Sequence, residues 1–412
     1  MLALAGIRFG LEVASYLGPG YGEDFAKHWV APQVLRRGGD PYDPAVTKQL
    51  ASSLGVLDPD RAYFHYLERF HYPPLDLALF GPLSRLPLRT ATIVWILFSA
   101  VLYLASIPIL LRVLGFERRP TEALLMTAAL LAFAPALSAL SLGQLDVAVF
   151  FALVLGLALE QEGRPVAAGL AVAVAIHMKL FPAAFFVFYL LLRRWRMVAS
   201  IAAWTLGLAA LGVAAVGRSV CASWMRAESA YATLQSGWEQ YLPSNLSVPA
   251  FLMKGAAFLT GGHEAAGAAI VLGRMAIVGL LAVAGFAVVR AKHGGREEQL
   301  WALGALCAAT SMSSALTFQH HLVWLAIPLG LALREGAVLT FLVPYLLIGT
   351  LDPWNQPLRD ATSGMSKAWR DVLWSIAPAA IATGALWMGA YAALRASRSE
   401  AVPSPSAHRS RP

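Results

Sequence analysis

The chain has 412 residues, of which 58% are hydrophobic and only 14% charged, with a mean hydropathy of +0.60. A surface facing water requires about 25% charged residues, so this composition excludes an ordinary soluble domain and makes lipid the main solvent. The net charge of +8 reads as basic residues retained on one side of a membrane rather than as affinity for nucleic acid, and the two distant, unpatterned cysteines, Cys221 and Cys307, are expected to exclude a disulfide framework or zinc site.

Crossing the hydrocarbon takes about 20 apolar residues. Runs of roughly that length fall at 1–17, 90–112, 121–141 and 144–160. The first carries Arg8 and Glu12 and lacks a charged start, so it reads as a short membrane helix rather than a cleaved signal. Residues 165–192 are long for one pass and are interrupted by His177, Lys179 and Pro182. They are predicted to form two short helices, 165–178 and 180–192. Further spans are expected at 197–217, 266–290, 299–317, 320–334, 336–350 and 372–394. The fold class is therefore an all-α integral membrane protein of about twelve transmembrane helices. One polytopic domain is expected over 1–394, followed by a disordered cytoplasmic tail over 395–412.

The loop charges give this arrangement a direction. Segments placed inside hold 15 Lys and Arg against 8 acidic residues, whereas those placed outside hold 14 of each. Both termini are then cytoplasmic. The apolar stretch Leu75–Pro87 is too short to cross and is expected to lie at the outer interface, as is an amphipathic helix over 25–37.

With that topology, the unusual polar residues gather on the extracytoplasmic side. Asp24 follows the first helix beside Phe25 and Trp29, where a partly desolvated carboxylate has the environment of a general base. An N-cap of helix 25–37 is the competing reading, and the two are compatible. Lys179, at membrane depth between apolar runs, is costly unless it functions, and a lysine suits a phosphate as a point charge. Snorkelling to the interface is its alternative. His177 reads as a supporting residue. Gln144 and Asp146 open a membrane helix, where the helix dipole or a ligand accounts for the carboxylate. His320 and His321 are adjacent and are expected not to face one site together. Without spaced partners they are not expected to hold a metal. Asn245-Leu246-Ser247 fits a glycosylation sequon.

Taken in order, Asp24-Phe25 running to Gly39-Asp40-Pro41-Tyr42-Asp43-Pro44 comes first, then Tyr72-Pro73-Pro74 with Pro82-Leu83. Leu142-Gly143-Gln144, Lys179 with Pro182, Asn245-Leu246-Ser247 and Gln319-His320-His321 follow. Together they resemble glycosyltransferase family 87, the polyprenol-phosphate-mannose-dependent mannosyltransferases and their relatives. The resemblance implies the C-type glycosyltransferase helical bundle with extracytoplasmic interfacial helices in a cell (plasma or inner) membrane. It implies Asp24 as catalytic base, and donor-phosphate binding by Lys179, His320 and His321. Tyr72, Gln144, Asp146, His177 and Asn245 are then substrate-binding candidates. Relatives often carry Asn where this chain has Asp146. The implied partners are a polyprenyl-phosphate-linked sugar, most readily mannose, a lipid-linked or surface glycan acceptor, and membrane lipids, with no nucleic acid and no cofactor or metal. A transporter or flippase, or a polymer ligase for lipid-linked glycans, is the alternative function.

Overall fold

The computed structural model describes residues 1–56, 70–234, 245–260, 266–313 and 317–337, with parts of 339–346 and 381–394, and among these every regular element is a helix. Backbone contacts divide the chain into two compact units. The first comprises Met1–Ala183, Arg196–Gly237 and Gln319–Val323; the second comprises Ala184–Trp195, Trp238–Phe318 and Trp324–Pro412. Expected spans 336–350 and 372–394 lie largely outside the described residues, and the tail 395–412 lies wholly outside them.

In chain order the first unit begins with α1 (Leu2–Tyr16), α2 (Phe25–Arg36), α3 (Pro44–Ser53), α4 (Leu75–Phe80) and α5 (Leu88–Val113). It continues with α6 (Pro120–Leu131), α7 (Ala134–Leu142), α8 (Asp146–Gln161) and α9 (Pro165–Met178). After α10 (Ala183–Leu191) come α11 (Trp195–Val216) and α12 (Arg218–Leu234). Proline opens α3, α6 and α9, where its fixed φ suits a first turn and its missing N–H leaves no helical bond unmade. α5 has 26 residues, about 39 Å of helix at 1.5 Å per residue, more than the ~30 Å of hydrocarbon. Among the described residues, four helical stretches are long and apolar enough to cross a bilayer: Leu88–Val113, Pro120–Leu142, Trp195–Val216 and Val271–Ala291. The second is not continuous, because Phe133 is extended ahead of Pro135 and separates α6 from α7.

Within this unit α8 packs between α5 and α9, and α1 packs on α6 and α7. Small residues permit the approach: a Cβ on Gly156 of α8 would stand 3.0 Å from Val172 of α9. Leu97, Phe98, Val101 and Leu104 remain exposed on α5, an apolar stripe suited to acyl chains rather than water.

The expected interruption in 165–192 is present. α9 ends at Met178, Lys179 is extended at φ −149° and ψ 141°, and α10 begins at Ala183. Residues 320–334 differ from expectation, because 319–325 form a 3₁₀ helix ahead of the α-helix Ala326–Arg334.

In the second unit α13 (Val248–Thr260) packs on α14 (Ala266–Ala291), α14 on α15 (Arg296–Ser313), and α15 on α16 (Ala326–Arg334). Trp301 is fully buried and meets Trp387 and Tyr391 edge to face at 5.7 and 4.9 Å. Before α13 the chain is tied by Asn245, whose amide oxygen accepts from the backbone N–H groups of Ser247 and Thr317 at 3.1 Å each.

Candidate active site

The site starts from a backbone staple. Gly22 N–H donates to the Ser141 carbonyl at 2.7 Å, and Asp24 N–H donates to the Leu142 carbonyl at 3.1 Å. These two bonds fasten the turn before α2 to the last residues of α7. Gly143 makes the fit possible in two ways. It adopts φ +69°, and a Cβ there would lie 2.8 Å from the Phe25 Cβ. The Trp95 indole N–H, from α5, donates to the Gly143 carbonyl at 2.9 Å. Residues 24 and 144, far apart in sequence, are thereby held side by side.

The Asp24 carboxylate uses both oxygens. Gln144 Nε2 donates to Oδ2 at 2.6 Å, and Lys27 Nζ, one helical turn along α2, lies 3.2 Å from Oδ1. Tyr72 Oη in turn donates to Gln144 Oε1 at 3.2 Å, which fixes which way the Gln144 amide faces. The capping reading of Asp24 is corrected here: it occupies the N-cap position of α2, but its side chain makes no cap hydrogen bond. Its oxygens are turned to Gln144 and Lys27 instead. About a fifth of the Asp24 side chain stays exposed. Burial disfavours its charge, but the Lys27 ammonium, the bonds from Gln144 and Lys27, and the more distant Lys179 outweigh that. The carboxyl is held below its ordinary range.

A second carboxylate is treated differently. Asp146, the first residue of α8, is completely buried. Lys179 Nζ, at the helix break, donates to Asp146 Oδ2 at 2.7 Å, while Oδ1 is buried with no hydrogen-bond partner among the described residues. Lys179 is thus neither snorkelling nor isolated; its ammonium neutralises a carboxylate from the neighbouring helix.

The two histidines approach the same carboxylate. One ring nitrogen of His320, one of His321 and one oxygen of Asp146 all lie within 4.8 Å of one another. The expectation that adjacent histidines face different sites therefore fails. Their rings, 4.3 Å apart and nearly perpendicular, converge at their tips. The premise that they lack a spaced partner also fails, because Asp146 supplies it from a distant part of the chain.

Beneath Tyr72 lies a buried pair that the sequence did not announce. His28 Nδ1 and Asp76 Oδ2 are 2.8 Å apart, with side chains 0% and 1% exposed. The His28 ring stands 4.2 Å from that of Tyr72, and Tyr42 Oη donates to the Tyr72 carbonyl at 2.8 Å. Tyr72 is thus braced from two sides.

Two further candidates have partners of their own. His177 Nε2 is 2.9 Å from the Thr205 carbonyl on α11 and supports the helix packing. Asn245 belongs to the second unit. Its side chain is fully buried and occupied by backbone donors, so it is closed to glycosylation as folded. Lys27 is the contributor that sequence reading missed. Its signal was the Asp24–Lys27 spacing of three residues, which puts opposite charges on one helix face.

A helical membrane protein that brings two lysine-paired carboxylates, an oriented amide and two imidazoles to helix ends has the parts for acid–base chemistry on an anionic substrate. Residues 70–319 match the model of glycosyltransferase family 87, and the chain belongs to that family. The match includes Tyr72, Gln144, Asp146, His177, Lys179 and Asn245; Asp24 precedes it and His320 follows directly. The chain is also 28% identical over 268 residues to the "Polyprenol-phosphate-mannose-dependent alpha-(1-2)-phosphatidylinositol pentamannoside mannosyltransferase" of Mycolicibacterium smegmatis. That alignment covers 65% of this chain and 61% of the relative's length. No solved structure matches.

Proposed function

We propose that this glycosyltransferase moves a sugar, most readily mannose, from a polyprenyl-phosphate carrier to a hydroxyl of a lipid-linked or cell-surface glycan. The donor class draws its support from the mannosyltransferase relative, whose name specifies polyprenol-phosphate-mannose. Asp24 is the base. The acceptor oxygen attacks the anomeric carbon as its proton passes to the Asp24 carboxylate. The bond from that carbon to the phosphate oxygen breaks, inverting the centre, and polyprenyl phosphate leaves with the electron pair. Lys179, His320 and His321 form the phosphate side of the site and hold the leaving group in place. Gln144 and Tyr72 orient Asp24.

The observation carrying this reading is the Asp24 carboxylate. Its carboxyl is held below the ordinary range by Lys27 and Gln144, it is fixed through both oxygens, and it is still partly exposed. The positive-inside balance of the loops supports a bundle of about twelve spans in the cell membrane, with cytoplasmic termini and this cluster on the extracytoplasmic side. Donors there are lipid-linked, and no nucleotide-binding loop is needed. Purified protein incubated with labelled polyprenyl-phosphate mannose and extracted membrane lipids should release polyprenyl phosphate and label a lipid. Release unchanged by Asp24→Asn would overturn the assignment of the base.

A flippase built on the same bundle calls for a polar site at the midplane between inverted repeats. The residues near Asp24 instead come from the ends of α7, α8 and α9, which favours the transferase.

A further inference from the structure

We propose that Asp146, His320 and His321 form a binding site for a divalent transition-metal ion of the zinc class, and that the ion receives the departing phosphate. The second part rests on the transferase reading above; the binding site does not. Two imidazole nitrogens and one carboxylate oxygen within 4.8 Å of one another are the donor set of a three-ligand catalytic zinc site, which keeps its fourth position open. Bonds of 2.0–2.2 Å put tetrahedral ligand atoms about 3.4 Å apart, so small side-chain rotations close the set.

A second, independent observation points to a ligand. Asp146 is wholly buried, and its Oδ1 has no hydrogen-bond partner among the described residues. A carboxylate oxygen in that state carries a full desolvation cost unless a cation or donor reaches it. Lys179 satisfies only the other oxygen. It fixes the carboxylate as an outer partner fixes a metal ligand and leaves the remaining lone pairs to the ion.

Charge agrees with this use. Asp24 and Asp146 are balanced by Lys27 and Lys179, so with neutral imidazoles the cluster has no surplus positive charge. Breaking the bond to the sugar turns a phosphodiester into a phosphomonoester and adds negative charge. An ion at the open position takes an oxygen of that phosphate and supplies the missing compensation.

The test uses full-length protein without a polyhistidine tag, purified in detergent, treated with zinc chloride, desalted and measured by elemental analysis. Wild type is expected to retain about one ion per chain, as a closed ligand set requires. The double variant His320→Ala/His321→Ala and the variant Asp146→Asn are expected to lose at least about tenfold in affinity. Zinc retention no higher in wild type than in the double variant overturns the site. Because the variants could unfold, wild-type thermal unfolding is followed as zinc rises. A concentration-dependent upward shift is expected, since only the folded chain presents the three ligands together; a flat midpoint also overturns the proposal. Neither readout involves a sugar donor, so failure here is separate from failure of the transferase reading. That reading falls if zinc-loaded protein releases no polyprenyl phosphate.

Discussion

Asp24 and Asp146 are both carboxylates at the start of a helix with a lysine beside them, yet their surroundings differ in nearly every respect. Asp24 has both oxygens engaged, one by an amide and one by an ammonium, and keeps about a fifth of its surface open. Asp146 is sealed, with one oxygen on Lys179 and the other without a hydrogen-bond partner among the described residues. The first environment holds a negative charge where a substrate hydroxyl can reach it. The second holds one where only a cation is welcome. A lysine partner alone therefore does not define a carboxylate's role; exposure and the unused lone pair do.

The largest effect should come from removing the exposed charge. Asp24→Asn keeps the volume and the Gln144 contact but cannot take a proton. Release of polyprenyl phosphate is expected to fall by about 10²–10⁴, the usual worth of a positioned general base, with the thermal midpoint near that of wild type. The buried pair should break differently. Lys179→Ala strands the Asp146 charge and is expected to cost about 3–5 kcal/mol of stability. Replacing both, Lys179→Met with Asp146→Leu, should restore most of that stability without restoring turnover. Thermal unfolding in detergent read beside activity separates the two outcomes.

A pH profile sharpens the contrast. Because the Asp24 carboxyl is held below its ordinary range, it stays ionised through mildly acidic conditions, and the acid limb of turnover should fall below that range. A depressed folded-state value stabilises the protein above the unfolded value. That contribution disappears as pH falls through the folded one. Lys27→Met removes the strongest charge opposing desolvation, so its acid limb should move to higher pH. An unmoved limb would mean that Lys27 does not tune Asp24. The smallest effect is reserved for Tyr72→Phe, which deletes one hydrogen bond to Gln144. A loss of about fivefold in turnover corresponds to the ~1 kcal/mol of such a bond, with the fold intact.

Much of the scaffold could be read in advance because lipid imposes length and apolarity on each helix. The helix over 90–112 and the interruption at His177–Pro182 both appear where composition puts them. The site was legible residue by residue, not as a set of contacts. Asp24, Gln144, Asp146, Lys179 and both histidines were visible as expensive polar groups. That Asp24 turns away from its own helix depends on Gln144, 120 residues further on. The convergence of His320 and His321 on Asp146 joins positions far apart in the chain, for which apolar periodicity carries no signal. The His28–Asp76 pair spans 48 residues and was hidden for the same reason. Asn245 stood out as a polar residue in an apolar chain, but that its amide oxygen ties Ser247 to Thr317 could not be read from the sequence.

Gly143 has a further bearing on how such an enzyme tolerates change. Its hydrogen sits where any larger group would wedge the α7 terminus away from the turn carrying Asp24. The helices on either side bury their own faces and need not unfold in response. A lineage acquiring alanine at this position would thus keep an intact, membrane-inserted protein whose base had drifted from its amide. Chemistry would fail before assembly did, and quality control that monitors folding would have nothing to detect.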